Sequence, residues 1–90
     1  MSDAFAALRP QFRARAASDL DRLTRLWADE PTSLEFRVLI HDIVGAAGIL
    51  GFTDLSAVAQ EINDGQVAGS RPDAVQMKRL FERLTEVAEG

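Results

Sequence analysis

The stretch LEFRVLIHDIVGAAGILG, residues 34–51, decides how this chain folds. Stepped round a helix at about 100° per residue, it sorts into two faces. Phe36, Leu39, Ile43, Ala46, Ala47 and Leu50 gather on one side and form a core stripe. His41, the only histidine in the chain, falls almost directly opposite. Leu34, Arg37, Val38, Val44, Gly45 and Gly48 all lie within about 60° of it on the same projection. A lone histidine on a helical surface is ordinary in itself. Two glycines and three apolar residues round it are not, because a glycine inside a helix costs about 1 kcal/mol relative to alanine. Close helix packing would explain the glycines. Their place on the histidine side favours bare backbone open to another molecule.

Working outward, every periodic segment reads as helix. Upstream, Glu30-Pro31 is a break, since the residue before a proline is pushed out of the α region. Thr32-Ser-Leu-Glu35 then matches a capping box, with Thr32 as N-cap and Glu35 reaching back. Before the break, Phe12, Ala16, Leu20, Leu23, Leu26 and Trp27 give a helix over residues 10–29. Pro10 separates it from Phe5 and Leu8, which predicts a short leading helix or a kink. Downstream, Gly51-Phe52 makes a turn that Thr53 or Asp54 can cap. Leu55, Val58, Ala59 and Ile62 form the next amphipathic helix, and Gly65 and Gly69 bracket a loop. Pro72 and Asp73 sit in the first turn of a last helix striped by Met77, Leu80, Phe81, Leu84, Val87 and Ala88. The prediction is all-α: an antiparallel, up-down-up-down four-helix bundle in one domain, residues 1–90.

Composition narrows the function. The net charge of −4 argues against nucleic acid, whose phosphates demand clustered Lys and Arg. The absence of cysteine excludes disulfides and thiolate chemistry. No apolar run approaches a membrane span and no signal peptide opens the chain, so the expectation is a soluble cytoplasmic monomer.

The chemistry then rests on His41. One histidine without converging carboxylates cannot build a metal shell. No serine stands in a nucleophile setting for a hydrolytic triad, and the glycines lack the lysine of a phosphate-binding loop. An exposed imidazole, largely neutral near pH 7, is nonetheless a good nucleophile that can take a phosphoryl group and later surrender it. That role requires access rather than a pocket.

The run HDIVGAAGILGFTDL, residues 41–55, resembles the histidine phosphotransfer (HPt) domains of two-component phosphorelays. Gly45, Ala46, Ala47, Gly48, Gly51, Phe52 and Leu55 follow the family's pattern after the histidine. Chain length and helix order fit along essentially the whole sequence. The resemblance implies that His41 is the phospho-acceptor. It would take its phosphoryl group from a response-regulator receiver aspartate, or from a histidine kinase, and pass it to another receiver. No cofactor would belong to this chain; Mg²⁺ would sit on the receiver partner. Leu34, Val38 and Val44 would contact that partner, with Gly45 and Gly48 admitting its loops. Asn63 aligns with an amide that orients the imidazole, a role as well supported as that of a plain helix-terminal residue. One departure stands out. The family commonly has a lysine three residues after the histidine, and here Val44 occupies that place, leaving Arg37 as the cation positioned to substitute.

The chain lacks a kinase ATP site and would depend on separate donors and acceptors. Two other readings stay open. An HPt-like docking protein would bind and regulate a receiver or kinase without chemistry, as the missing lysine suggests. An unrelated helical interaction module would leave the glycines beside His41 unexplained. A buried His41 would exclude both the carrier and the docking protein.

Overall fold

In a computed structural model describing residues 5–90, four helices follow in order: α1 (Arg9–Asp29), α2 (Leu34–Leu50), α3 (Thr53–Val67) and α4 (Ala74–Glu89). Each packs on its neighbour in sequence, and α1 closes the ring on α4. Such short connections leave only antiparallel neighbours. The chain is an all-α, up-down-up-down four-helix bundle.

Local chemistry sets the helix ends, and several differ from expectation. Pro10 does not kink a longer helix but lies in the first turn of α1, where its missing N–H has no partner to lose. A single turn, closed by Leu8 N–H to the Phe5 carbonyl at 3.0 Å, leads into it. The N-cap of α2 is Ser33, not Thr32. Ser33 has the extended backbone of a cap (φ −66°, ψ 156°), and its hydroxyl accepts from Phe36 N–H at 3.2 Å. Glu35 is thereby the second helical residue, and its carboxylate pairs with Arg22 of α1 at 3.0 Å instead of reaching back. Neither Thr53 nor Asp54 caps α3; both lie inside its first turn, after Phe52.

The helix α3 runs through Gly65 instead of ending there. Its stop is Gly69, whose φ of +86° suits only glycine. Gly69 N–H donates to the Gln66 carbonyl and Ser70 N–H to the Gly65 carbonyl, the paired bonds of a Schellman end. Asp73 then stands just outside α4 as its N-cap, in a reciprocal capping box with Gln76.

The core is assembled from one stripe of each helix. Phe36, Ile40, Ile43 and Ala47 of α2 are fully buried with Leu23 of α1, Leu55, Ala59 and Ile62 of α3, and Met77, Leu80 and Leu84 of α4. Ile40 joins the expected α2 stripe, whereas Ala46 is only half-buried at its edge. At the turn after α2, Phe52 stacks on Phe12 with ring centroids 5.2 Å apart, tying that corner to α1. Packing on both flanks therefore fixes the rotation of α2 and leaves one face outward.

Candidate functional site

His41 lies in the middle of that outward face and is exposed. Leu34 and Val38 share the face, 73% and 48% exposed. Together they form a small apolar patch beside the histidine, of a kind that suits a partner surface. Val44 departs from the expected exposed trio. It is half-buried and packs against the core, and its carbonyl accepts the Ser56 hydroxyl of α3 at 3.2 Å.

The two glycines differ as well. A Cβ on Gly45 would meet nothing within 4 Å, so the backbone one turn after His41 is open. A Cβ on Gly48 would stand 3.3 Å from Ser56 Oγ. Helix packing, set aside on the projection, thus accounts for part of Gly48's place.

Arg37 is exposed one turn before His41, about 6 Å along the helix axis. Among the described residues its side chain has neither ion-pair nor hydrogen-bond partner. Asn63 is half-buried on α3. Since Ser56 lies beside Gly48, seven residues back along α2 and seven on along α3 bring His41 and Asn63 to one height. Among the described residues no hydrogen bond joins them. Among the described residues no group of three or more His, Asp or Glu side chains converges as a metal shell would.

An exposed histidine at the centre of a helix face, in a four-helix bundle, is the arrangement on which comparison with known families bears directly. The family model described as Hpt domain matches residues 7–87. The chain is an Hpt domain. No curated protein and no solved structure matched the sequence. Membership places the chain among proteins of histidine phosphotransfer, working with receivers or kinases in two-component phosphorelays. No helix among the described residues of the Hpt domain is long and apolar enough to cross a membrane.

Two further features flank the histidine face of this Hpt domain, and neither was singled out from the sequence. The first is a cleft of 360 Å³ between the start of α2 and the end of α3, into which the loop 68–73 folds. Arg37, Gln66, Val67, Ser70 and Arg71 line it. The Arg71 guanidinium is held over the Trp27 ring, 5.5 Å from its centroid. Both polar atoms of the Gln66 amide are buried without a hydrogen-bond partner, a condition that costs about 1–3 kcal/mol per group. Nothing in the spacing of Arg71 ties it to α2. The approach arises only because the Gly69 turn carries the chain back past the helix start.

The second feature is Asp19 of α1, 3% exposed. One oxygen has Arg15 Nε at 3.4 Å as an ion pair but makes no hydrogen bond. Burial raises the carboxyl above the usual aspartate range, with a smaller push from Asp42 of α2, and against the pull of Arg15 and Arg22. The sequence does hold a signal for it. Positions 12, 16, 19, 23 and 26 step by four and three residues, and Asp19 alone among them is charged.

Proposed function

We propose that His41 is the phospho-acceptor of a phosphorelay, loaded by the phospho-aspartate of a receiver domain or by a histidine kinase, and unloaded onto another receiver. The observation that carries this is the exposure of the chain's only histidine at mid-face on α2 of an Hpt domain. A ring nitrogen of His41 attacks phosphorus in line. The bond from phosphorus to the aspartyl oxygen breaks, and the carboxylate leaves with the electron pair. Return transfer reverses this: an acceptor carboxylate forms the new P–O bond while the N–P bond breaks and the imidazole departs. The domain supplies a nucleophile and a docking face. Mg²⁺ and the acidic pocket that neutralise the moving group belong to the receiver.

Leu34 and Val38 form the apolar part of the docking face, with Gly45 as the open backbone against which partner loops close. Val44 meets the partner only at its exposed edge. Arg37 supplies positive charge near the transferring group. Asn63, at the height of His41, acts on the imidazole once a bound partner draws the two together. We place the domain in the cytoplasm as a monomer, where soluble receivers reach the face.

One feature favours a second reading. Val44 is apolar and half-buried where a cation commonly stands in the family, which suits a domain that docks on receivers without carrying phosphate. A single experiment separates the two. The protein is incubated with phosphorylated receivers and Mg²⁺, then examined for acid-labile, alkali-stable phosphate by intact mass and phosphorus NMR. The carrier gains one phosphoryl group that the His41→Gln variant does not. Binding without label establishes the docking protein instead.

A further inference from the structure

The cleft beside α2 differs in charge from the other surface cavities described. It is lined by two arginines and no carboxylate, in a chain of net charge −4. Each of the others that holds a cation holds an acidic side chain with it, as where Lys78 meets Glu82 and Glu86. Neither arginine is paired with a carboxylate among the described residues; Arg71 rests on Trp27 and Arg37 is free. Their positive charge is thus unneutralised at one end of the histidine face. Val67, 79% exposed, forms the cleft's apolar lip.

We propose that this cleft recognises an aspartate or glutamate side chain on the receiver that docks over His41. The inference rests on the phosphocarrier reading and deepens it by naming a partner-selecting contact. Three observations converge on a carboxylate. Arginines from two separate segments line one cavity, and a guanidinium carries the planar fork of N–H donors that a carboxylate accepts. Arg71 is already held in place by the Trp27 ring, so little side-chain freedom is lost on binding. The Gln66 amide in the same lining holds an N–H donor without an acceptor, beside a carbonyl oxygen that is unpartnered too. The cleft begins one helical turn from His41, within the footprint of any domain that covers the imidazole. Charge of this kind at the edge of an interface steers association and selects partners, and salt weakens it.

The test uses the intact protein and a purified receiver domain that phosphorylates His41. Its Kd is measured at roughly 50 mM and roughly 300 mM NaCl. Arg71→Glu is expected to raise Kd about tenfold at the lower salt and to flatten the salt dependence. Arg71→Lys, keeping the charge, should stay within about threefold of the original. Lys78→Glu, on α4, reverses an equal charge outside the cleft and should leave Kd unchanged. Circular dichroism establishes that each variant is folded. If the receiver labels His41 and binds Arg71→Glu as tightly as the original at both salts, the proposal is overturned and the carrier stands. If no receiver labels or binds the original protein, the carrier is overturned and the cleft proposal with it. If inorganic phosphate changes Trp27 fluorescence in the original but not in Arg71→Glu, while receiver affinity is equal in both, the cleft holds free anions and the carboxylate assignment is wrong.

Discussion

The Ser56 hydroxyl stands 3.3 Å from the point where a side chain on Gly48 would begin, and it donates to the Val44 carbonyl one turn away. Gly48 is therefore where α2 and α3 come close, while Gly45, one turn earlier, faces open space. Alanine at the two positions should give opposite balances. Gly45→Ala gains helix propensity with nothing to push against and should stabilise by about 0.5–1 kcal/mol. Gly48→Ala should gain less, because Ser56 must give way; measured against a Ser56→Ala chain, which has already lost the bond to Val44, it should gain as much as Gly45→Ala. Thermal unfolding of these variants measures this. Equal gains for the single substitutions would mean that Ser56 does not limit the approach of the helices.

Val38 and Leu34 are exposed, so their replacement by aspartate tests docking without disturbing the core. Stability should change by no more than about 0.5 kcal/mol. Receiver affinity should fall at least about tenfold for Val38→Asp, which puts a charge into an apolar contact. Calorimetric titration with a receiver decides it, and undiminished affinity would place the docking surface elsewhere.

Val44→Lys restores the cation that the family commonly has at this place. The half-buried valine packs on the core, and a lysine stem can cover the same apolar surface while its ammonium reaches water. Stability should fall by about 1 kcal/mol or less, and phosphoryl transfer to His41 should accelerate. Rapid-quench measurement of label on His41 gives the rate. A slower variant would mean that Arg37 already supplies the charge and that the lysine crowds the receiver.

Asp19 has a sign of its own in the pH dependence. Its folded-state carboxyl is raised above the ordinary aspartate value, so the fold binds that proton more tightly than the unfolded chain does. The carboxylate therefore costs stability above the raised value. That cost disappears as the pH falls through it towards the ordinary value, 3.8. Asp19→Asn should raise stability at pH 7 by on the order of 1 kcal/mol, roughly 4–8 °C in Tm. Between pH 7 and 4 the gain over the original protein should shrink. A gain independent of pH would assign the effect to packing and not to charge.

The start of α2 offers a sharper local test. Ser33→Ala removes the hydroxyl that accepts from Phe36 N–H and should cost about 1 kcal/mol. Thr32→Ala, just outside the helix, should cost no more than a few tenths. Chemical denaturation of both variants separates the two caps.

Much of this was legible in the sequence, for reasons that differ from residue to residue. Burial of Phe36, Ile43 and Ala47 against exposure of His41 followed from helical spacing, because a bundle enforces that period on every stripe. Cap identity did not follow, since Thr32 and Ser33 are chemically equivalent and only backbone torsion tells them apart. Gly65 read as a breaker because propensity is local. In the folded chain its helix is held by the bonds round Gly69, one turn further on. Val44 read as exposed from its angle, but the side of a helix that borders a neighbour is decided by how closely the neighbour comes. Arg71 lay beyond reach altogether: its proximity to Arg37 is a property of the loop's path.

The outward face of α2 is left open by its neighbours. Leu34, Arg37, Val38, His41 and Gly45 are all exposed, while the side chains that hold the bundle lie on the other side of the same helix. The residues that hold the fold and those proposed to meet a partner are thus separate letters of one segment. A library that varies only Leu34, Arg37 and Val38 should be almost entirely folded, so a selection for new receivers would sample recognition with little change in stability.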